Sequence, residues 1–158
     1  MRYLLILLLL VAPMQIGQSV SVPVPAIAEW TYGAGSRIAQ LSDGTTIAVA
    51  GYSSSVSVDL GVTPKFGVYV LKVPVANYFY SYPGPYEATI SIGTKELCST
   101  YGWGIGAFTE ITLVCPVSNY FTLYNGYGFN ASQHLMLSFH ATGWPVYFKD
   151  ASLEFTPQ

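Results

Sequence analysis

Charged residues are scarce in this sequence. They make up 9% of the 158 residues, against roughly 25% in average globular proteins. Six Lys and Arg residues are outnumbered by eight Asp and Glu residues, which leaves a net charge of −2. No run of basic residues could neutralise nucleic-acid phosphates or anionic lipid headgroups, so neither nucleic acid nor a charged membrane surface is an expected partner.

Long apolar segments are lacking as well. The most continuous one, residues 4–11, is soon followed by Pro13, whereas a transmembrane helix needs about 20 apolar residues. Arg2 ahead of this run and small residues after it form the pattern of a secretory signal peptide. The chain is therefore predicted to be exported to an extracellular or periplasmic location.

The signal peptide is expected to span residues 1–28. Residues 26–28 read Ala-Ile-Ala, the small-residue pattern that precedes signal cleavage. Cleavage sites from Ser19 onward are weaker alternatives. The remaining residues 29–158 have the length of one domain, and no membrane anchor is expected once the leader has been removed.

Cysteine is limited to Cys98 and Cys115. Because an exported protein meets oxidising conditions, these two residues are predicted to form a disulfide, worth about 3 kcal/mol in the chain-entropy model. A metal site is the weaker alternative, since no CxxC pair exists and both histidines lie well downstream.

Alternation of apolar and polar residues is the dominant pattern of the sequence after Glu29. This period-two pattern is typical of half-buried antiparallel strands, and no segment has the three-and-four spacing of an amphipathic helix. Further strands are predicted around Ile47 and, more briefly, around Phe121. Turns rich in Gly, Pro, Asp and Ser separate the strands, so the sequence predicts an all-β sandwich. The clearest alternating segments are residues 56–62, 69–75, 88–92, 109–115 and 135–141.

The last strand changes its parity. Val146 and Phe148 share one face of a strand, whereas Leu153 and Phe155 share the opposite face. A β-bulge within residues 149–152 would place all four side chains on the core side, because a bulge sets two residues against one.

Three segments resemble a known family. Residues 146–153, VYFKDASL, resemble the closing strand of jelly-roll domains of the galactose-binding-like, carbohydrate-binding-module type. Residues 62–71 and 86–93 resemble core strands of the same family, as found in exported bacterial proteins that often carry a PEP-CTERM sorting tail. The resemblance covers residues 53–155 and implies an antiparallel jelly-roll β-sandwich of about eight strands. The sorting tail is absent here, so release from the cell is expected.

The same resemblance bears on calcium. In some carbohydrate-binding modules an acidic side chain of the closing strand joins a structural calcium site, and many relatives have Asp where Lys149 stands here. Calcium takes 6–8 oxygen ligands. Since only Asp150 remains at this place, no cofactor is expected, and a structural calcium near Asp150 is disfavoured.

Catalytic motifs are missing. Glu87, Glu96 and Glu110 could in principle supply a glycosidase pair, but the sequence shows no separation suited to that chemistry. His134 and His140 share one strand face and are predicted to be surface residues, too far apart to hold one metal. An enzyme is therefore not expected.

Aromatic residues are the better candidates for binding. Tyr80, Tyr82 and Tyr86 surround a rigid Pro-Gly-Pro turn, and Tyr101 and Trp103 lie within the loop that the cysteines close. Flat aromatic rings stack on the apolar faces of sugars, and a Tyr hydroxyl adds a hydrogen bond. The competing interpretation is that several of these rings close the ends of the sandwich.

Two classes of function follow. The first is a non-catalytic binding module that holds an extracellular glycan, or a similar neutral polymer, by exposed aromatic loops. The second is a structural or self-associating matrix protein with no dedicated ligand. Exposed aromatics around a groove favour the first class, whereas a flat apolar patch or an unpaired edge strand favours the second.

Overall fold

The computed structural model describes residues 17–77, 84–104, 106–118 and 133–158. Strands dominate these ranges, and their only helical element is a single 3-10 turn, Ile27–Glu29. No helix in these ranges is long and apolar enough to cross a membrane. The strands are β1 Val20–Val22, β2 Thr31–Tyr32, β3 Arg37–Gln40, β4 Thr46–Ala50, β5 Ser55–Asp59, β6 Gly67–Asn77, β7 Gly84–Ile92, β8 Lys95–Gly104, β9 Gly106–Val117, β10 Leu135–Ala141, β11 Val146–Phe148 and β12 Ser152–Pro157.

The strands form two antiparallel sheets. The seven-stranded sheet has the order β1-β12-β6-β11-β4-β3, and β9 pairs with β6 outside this path. The five-stranded sheet has the order β2-β5-β10-β7-β8. The two sheets form a jelly-roll sandwich, which confirms the predicted fold class. The strands outnumber the predicted eight because β1, β2 and β3 are too short to show a period in the sequence, and the strand predicted around Phe121 lies outside the described residues.

Alternation along the long strands builds the core. In β6, β7 and β10 every second side chain is buried between the sheets, as the period-two pattern predicts. Phe139 on β10 lies at the centre. Its ring stacks on Trp30 at 5.4 Å between centroids and packs against Phe148 of the opposite sheet at 5.0 Å.

The predicted bulge is confirmed by the pairing with β6. Phe148 lies opposite Val75 and Ser152 lies opposite Lys72. Three residues, 149–151, therefore lie between Phe148 and Ser152, whereas only two, 73 and 74, lie between their partners on β6. This extra residue lets Phe148 and Leu153 both enter the main core despite their opposite parity.

The sandwich includes residues upstream of Glu29. β1 pairs with β12, and the side chain of Ile27 is 2% exposed within the main core. The indole Nε1 of Trp30 donates a hydrogen bond to the carbonyl oxygen of Pro25 at 2.9 Å. A domain that began at residue 29 would lack these contacts, and the predicted boundary at residue 29 stays a prediction.

The predicted disulfide is present and joins the two sheets. Cys98 lies on β8, an edge of the five-stranded sheet, and Cys115 lies on β9 of the other sheet, with their Cα atoms 5.8 Å apart. β8 and β9 do not pair with each other. The bond therefore closes one side of the sandwich covalently.

Candidate functional site

Three of the five predicted site residues meet in one pocket. We call it the edge pocket, because it lies beside the edge strand β8. Tyr80 and Tyr82 lie outside the described residues. The edge pocket has a volume of about 240 Å³ and is lined by Pro85, Tyr86, Tyr101, Gly102, Trp103 and Thr142.

The two exposed rings of the edge pocket come from β8. Tyr101 lies opposite Glu87 and Trp103 lies opposite Pro85 in the pairing with β7. Alternation turns both rings away from the core, and they are 70% and 62% exposed, respectively. The sequence assigned these residues to a loop, but the structure places them on a strand, where the β7 ladder fixes their spacing.

Tyr86 plays a different part from the other two rings. Its side chain is 5% exposed and its ring packs edge-on against Phe148 at 6.2 Å. A side chain at Gly102 would collide with the Tyr86 hydroxyl, so glycine at that position leaves room for it. Burial raises the pKa of Tyr86. Tyr86 thus forms a wall of the edge pocket and presents no open face for stacking.

A row of polar side chains continues from the edge pocket across the outer face of the five-stranded sheet. Successive cross-strand pairs are Tyr101 with Glu87, Glu87 with His140, and His140 with Ser55. A hydrogen bond to the Glu87 carboxylate raises the pKa of Tyr101, and the negative charge of Glu87 adds to that effect. The row places hydrogen-bonding groups next to the two exposed rings.

Sequence reasoning missed a second aromatic pair near the edge pocket. Tyr52 and Trp144 are 69% and 41% exposed, and their rings meet edge to face at 6.2 Å. Their loops adjoin the pocket, because the backbone N–H of Thr142 donates to the carbonyl oxygen of Pro85 at 3.1 Å. The only signal in the sequence is a lone aromatic residue in each of two turn segments, which by itself indicates nothing.

The acidic residues do not come together as a glycosidase pair. Glu96 lies opposite Ser91 on β7, four residues beyond Glu87, or about 13 Å along the sheet. Glycosidase carboxyl pairs are roughly 5 to 9.5 Å apart. Glu110 belongs to the other sheet, where it lies opposite Pro74.

The structure also locates the two histidines and the residues considered for a calcium site. His134 lies 3.2 Å from a carboxylate oxygen of Asp59, on the surface. Within the described ranges no three His, Cys, Asp or Glu side chains gather as metal ligands. The ammonium group of Lys149 lies 4.4 Å from the centroid of the Phe108 ring, and Asp150 beside it is exposed. That the protein needs no cofactor, with calcium near Asp150 disfavoured, stays a prediction.

Comparison with known proteins finds similarity in structure alone. No protein-family model and no curated protein sequence matches this chain. A family 4 carbohydrate-binding module (CBM4) superposes with a TM-score of 0.58 at 13% identity, over 81% of this chain and 95% of its own. The CBM22-1 xylan-binding domain of Xyn10C from Paenibacillus barcinonensis gives 0.55 at 16%, over 90% and 97%.

Two further solved structures have the same fold, one a binding module and the other an enzyme. A CBM6 module from Clostridium stercorarium, solved with cellobiose, gives a TM-score of 0.51 at 12% identity, over 90% of this chain and 95% of that one. The Stig cyclase Fisc from Fischerella sp. TAU gives 0.54 at 15% identity, over 89% and 99%. The chain therefore has the jelly-roll fold of carbohydrate-binding modules, a fold that also occurs in an enzyme.

Proposed function

We propose that this protein is an exported, non-catalytic module that binds a neutral extracellular glycan at the edge pocket. The observation that carries the proposal is the pair of exposed rings, Tyr101 and Trp103, beside a pocket on an otherwise hydroxyl-rich sheet face. Sugar rings have apolar C–H faces that stack on such aromatic rings, while their hydroxyls need hydrogen-bonding partners at the rim. Glu87 and His140 supply those partners in the adjoining row.

The structural neighbours support the choice of ligand class. One of them is a xylan-binding domain and another was solved in complex with cellobiose, so neutral β-linked glucan and xylan chains are the first ligands to test. The lack of any Lys or Arg among the residues that line the edge pocket also favours an uncharged ligand. Because one short sugar chain desolvates little area, the expected Kd lies on the order of 10 to 1000 μM.

Isothermal titration with xylohexaose and cellohexaose, chosen after a glycan array, tests the proposal. Trp103→Ala should weaken binding about tenfold, which corresponds to the loss of roughly 1.4 kcal/mol of stacking. The melting temperature should stay within about 2 °C of the unaltered protein, since a surface substitution costs little stability. Phe66→Ala is the matched control, because this ring is also partly exposed, at 37%. It lies directly before the first residue of β6 and is not among the residues that line the edge pocket.

Two results would contradict the proposal. If Trp103→Ala lowers the melting temperature by many degrees and leaves affinity unchanged, the ring serves packing and not binding. If no glycan binds and the protein sediments as a concentration-dependent oligomer, the alternative of a self-associating matrix protein is favoured. In that case the twelve-residue edge strand β9, with Val114 57% exposed, is the first surface to alter.

A further inference from the structure

A second and larger pocket lies on the other sheet. We call it the hairpin pocket, because most of its lining comes from the β3–β4 hairpin. It has a volume of about 460 Å³, within the range of small-molecule sites, and takes no residue from the edge pocket. Its lining residues are Arg37, Ala39, Gln40, Leu41, Ser42, Asp43, Ile47 and Tyr147.

The floor of the hairpin pocket is apolar and firmly packed. Ala39 lies opposite Ile47 on the hairpin, and Tyr147 lies opposite Val49 on the next strand. Ile47, Val49 and Tyr147 are each at most 5% exposed and belong to a small cluster separate from the main core. Neighbours on the same strands, such as Phe148, face the main core, so this floor lies on the outer side of the seven-stranded sheet.

The rim carries one cation, Arg37, that no residue of the described ranges neutralises. Asp43 accepts a hydrogen bond from the backbone N–H of Thr45 at 2.8 Å, which lowers the pKa of Asp43, and the charge of Lys149 lowers it further. Asp43 lies in the turn of the hairpin, six residues along the chain from Arg37, which is the first residue of β3. Within the described ranges the exposed guanidinium of Arg37 has no hydrogen-bond or ion-pair partner.

From this arrangement we infer that the hairpin pocket binds a sugar that carries a carboxylate, such as a uronate residue of an acidic glycan. The planar guanidinium of Arg37 can hold a carboxylate by two parallel hydrogen bonds. The apolar floor formed by Ile47 and Tyr147 suits the C–H face of the sugar ring, and Gln40 and Ser42 offer partners for its hydroxyls. The choice of a sugar over other carboxylates rests on the proposed function, whereas the pocket and its cation do not.

Titration with trigalacturonate tests the inference, with its methyl ester as the uncharged counterpart of the same ring and linkage. The unaltered protein should bind the acid at least about tenfold more tightly than the ester, as expected for a charge-assisted hydrogen-bonded pair. Arg37→Gln should remove that difference. Lys65→Gln, which deletes another exposed cation, located between β5 and β6, should retain it.

Nuclear magnetic resonance maps the location. Trigalacturonate should shift the amide signals of Gln40 and Ser42 but not those of Tyr101 and Trp103, and binding should weaken as salt rises. Equal affinity for acid and ester, an Arg37→Gln variant that binds normally, or shifts confined to β8 would each overturn the inference. Trp103→Ala separates it from the proposed function: that variant should bind neutral glycans about tenfold more weakly and bind trigalacturonate as the unaltered protein does. If neutral glycans never bind but trigalacturonate does, the proposed function fails and the hairpin pocket stands.

Discussion

Removal of the residues before Glu29 should destabilise the sandwich strongly. The comparison is between the chain that begins at Gln18 and the chain that begins at Glu29. The shorter chain lacks β1 and the buried side chain of Ile27. It also lacks two acceptors, because the Trp30 indole donates to Pro25 and the Tyr32 hydroxyl donates to the carbonyl oxygen of Ile27 at 2.7 Å.

The size of the effect follows from these contacts. Loss of a fully buried Ile side chain costs about 2–5 kcal/mol, because a cavity replaces it. A half-buried donor left without its acceptor costs about 1–3 kcal/mol. β1 adds little, since two of its three side chains are exposed. The sum for the Ile side chain and both donors, roughly 4–11 kcal/mol, is comparable to the 5–15 kcal/mol that stabilises a typical domain.

Thermal and urea unfolding of the two chains measure this directly. The chain from Glu29 should melt about 10 °C or more below the chain from Gln18. Within the longer chain, Ile27→Ala should cost about 2–5 kcal/mol, whereas Val20→Ala, at a side chain 56% exposed in the same segment, should cost under about 0.5 kcal/mol. Equal melting temperatures for the two chains would refute the reasoning. N-terminal sequencing of the exported protein then shows whether cleavage spares Ile27.

Three other measurements have definite expected outcomes. Cys98→Ala should lower the free energy of unfolding by about 2–4 kcal/mol in urea titrations. Non-reducing mass spectrometry of the unaltered protein should find the Cys98 and Cys115 peptides linked, and free thiols in the exported protein would contradict the pairing. Burial raises the pKa of Tyr69 and Tyr86 above the usual 10.0. Their contribution to stability is therefore complete below pH 10 and is lost as the pH rises through the folded-state pKa. Melting temperatures that stay constant up to pH 12 would argue against this pH dependence. Neutral glycan binding at the edge pocket should change less than about twofold between 50 and 500 mM salt, because no ion pair forms there, and a steep decrease would point to a charged ligand.

Much of the fold was predictable because apolar and polar residues alternate regularly along the long strands. β6 and β10 bury every second residue, and this pattern is visible in the sequence over seven or more positions. The bulge near Lys149 was predictable for the same reason, since a change of parity has few other causes. β8 was missed because Gly102 and Gly104 interrupt its pattern, and two glycines in three residues resemble a loop.

The candidate site was predictable only in part. Tyr101 and Trp103 could be singled out because they lie close together in the sequence, within the segment that the disulfide closes. Tyr52 and Trp144 could not, because loops more than ninety residues apart meet only after β10 returns beside β5. Ile27 shows a further limit: its small-residue neighbours fit a cleavage motif, and only tertiary packing reveals that it is a core residue.

The disulfide between the sheets has a mechanical consequence. An edge strand held by hydrogen bonds on one side can be peeled away when a force acts on it, one bond after another. β8 is such a strand, and it carries the exposed rings of Tyr101 and Trp103, so any force applied to these rings acts on this edge. Cys98 transfers that load through a covalent bond to Cys115 on the opposite sheet, and from there to the full length of β6. If β8 separates from β7, it therefore remains tethered to β9 for as long as the disulfide is intact.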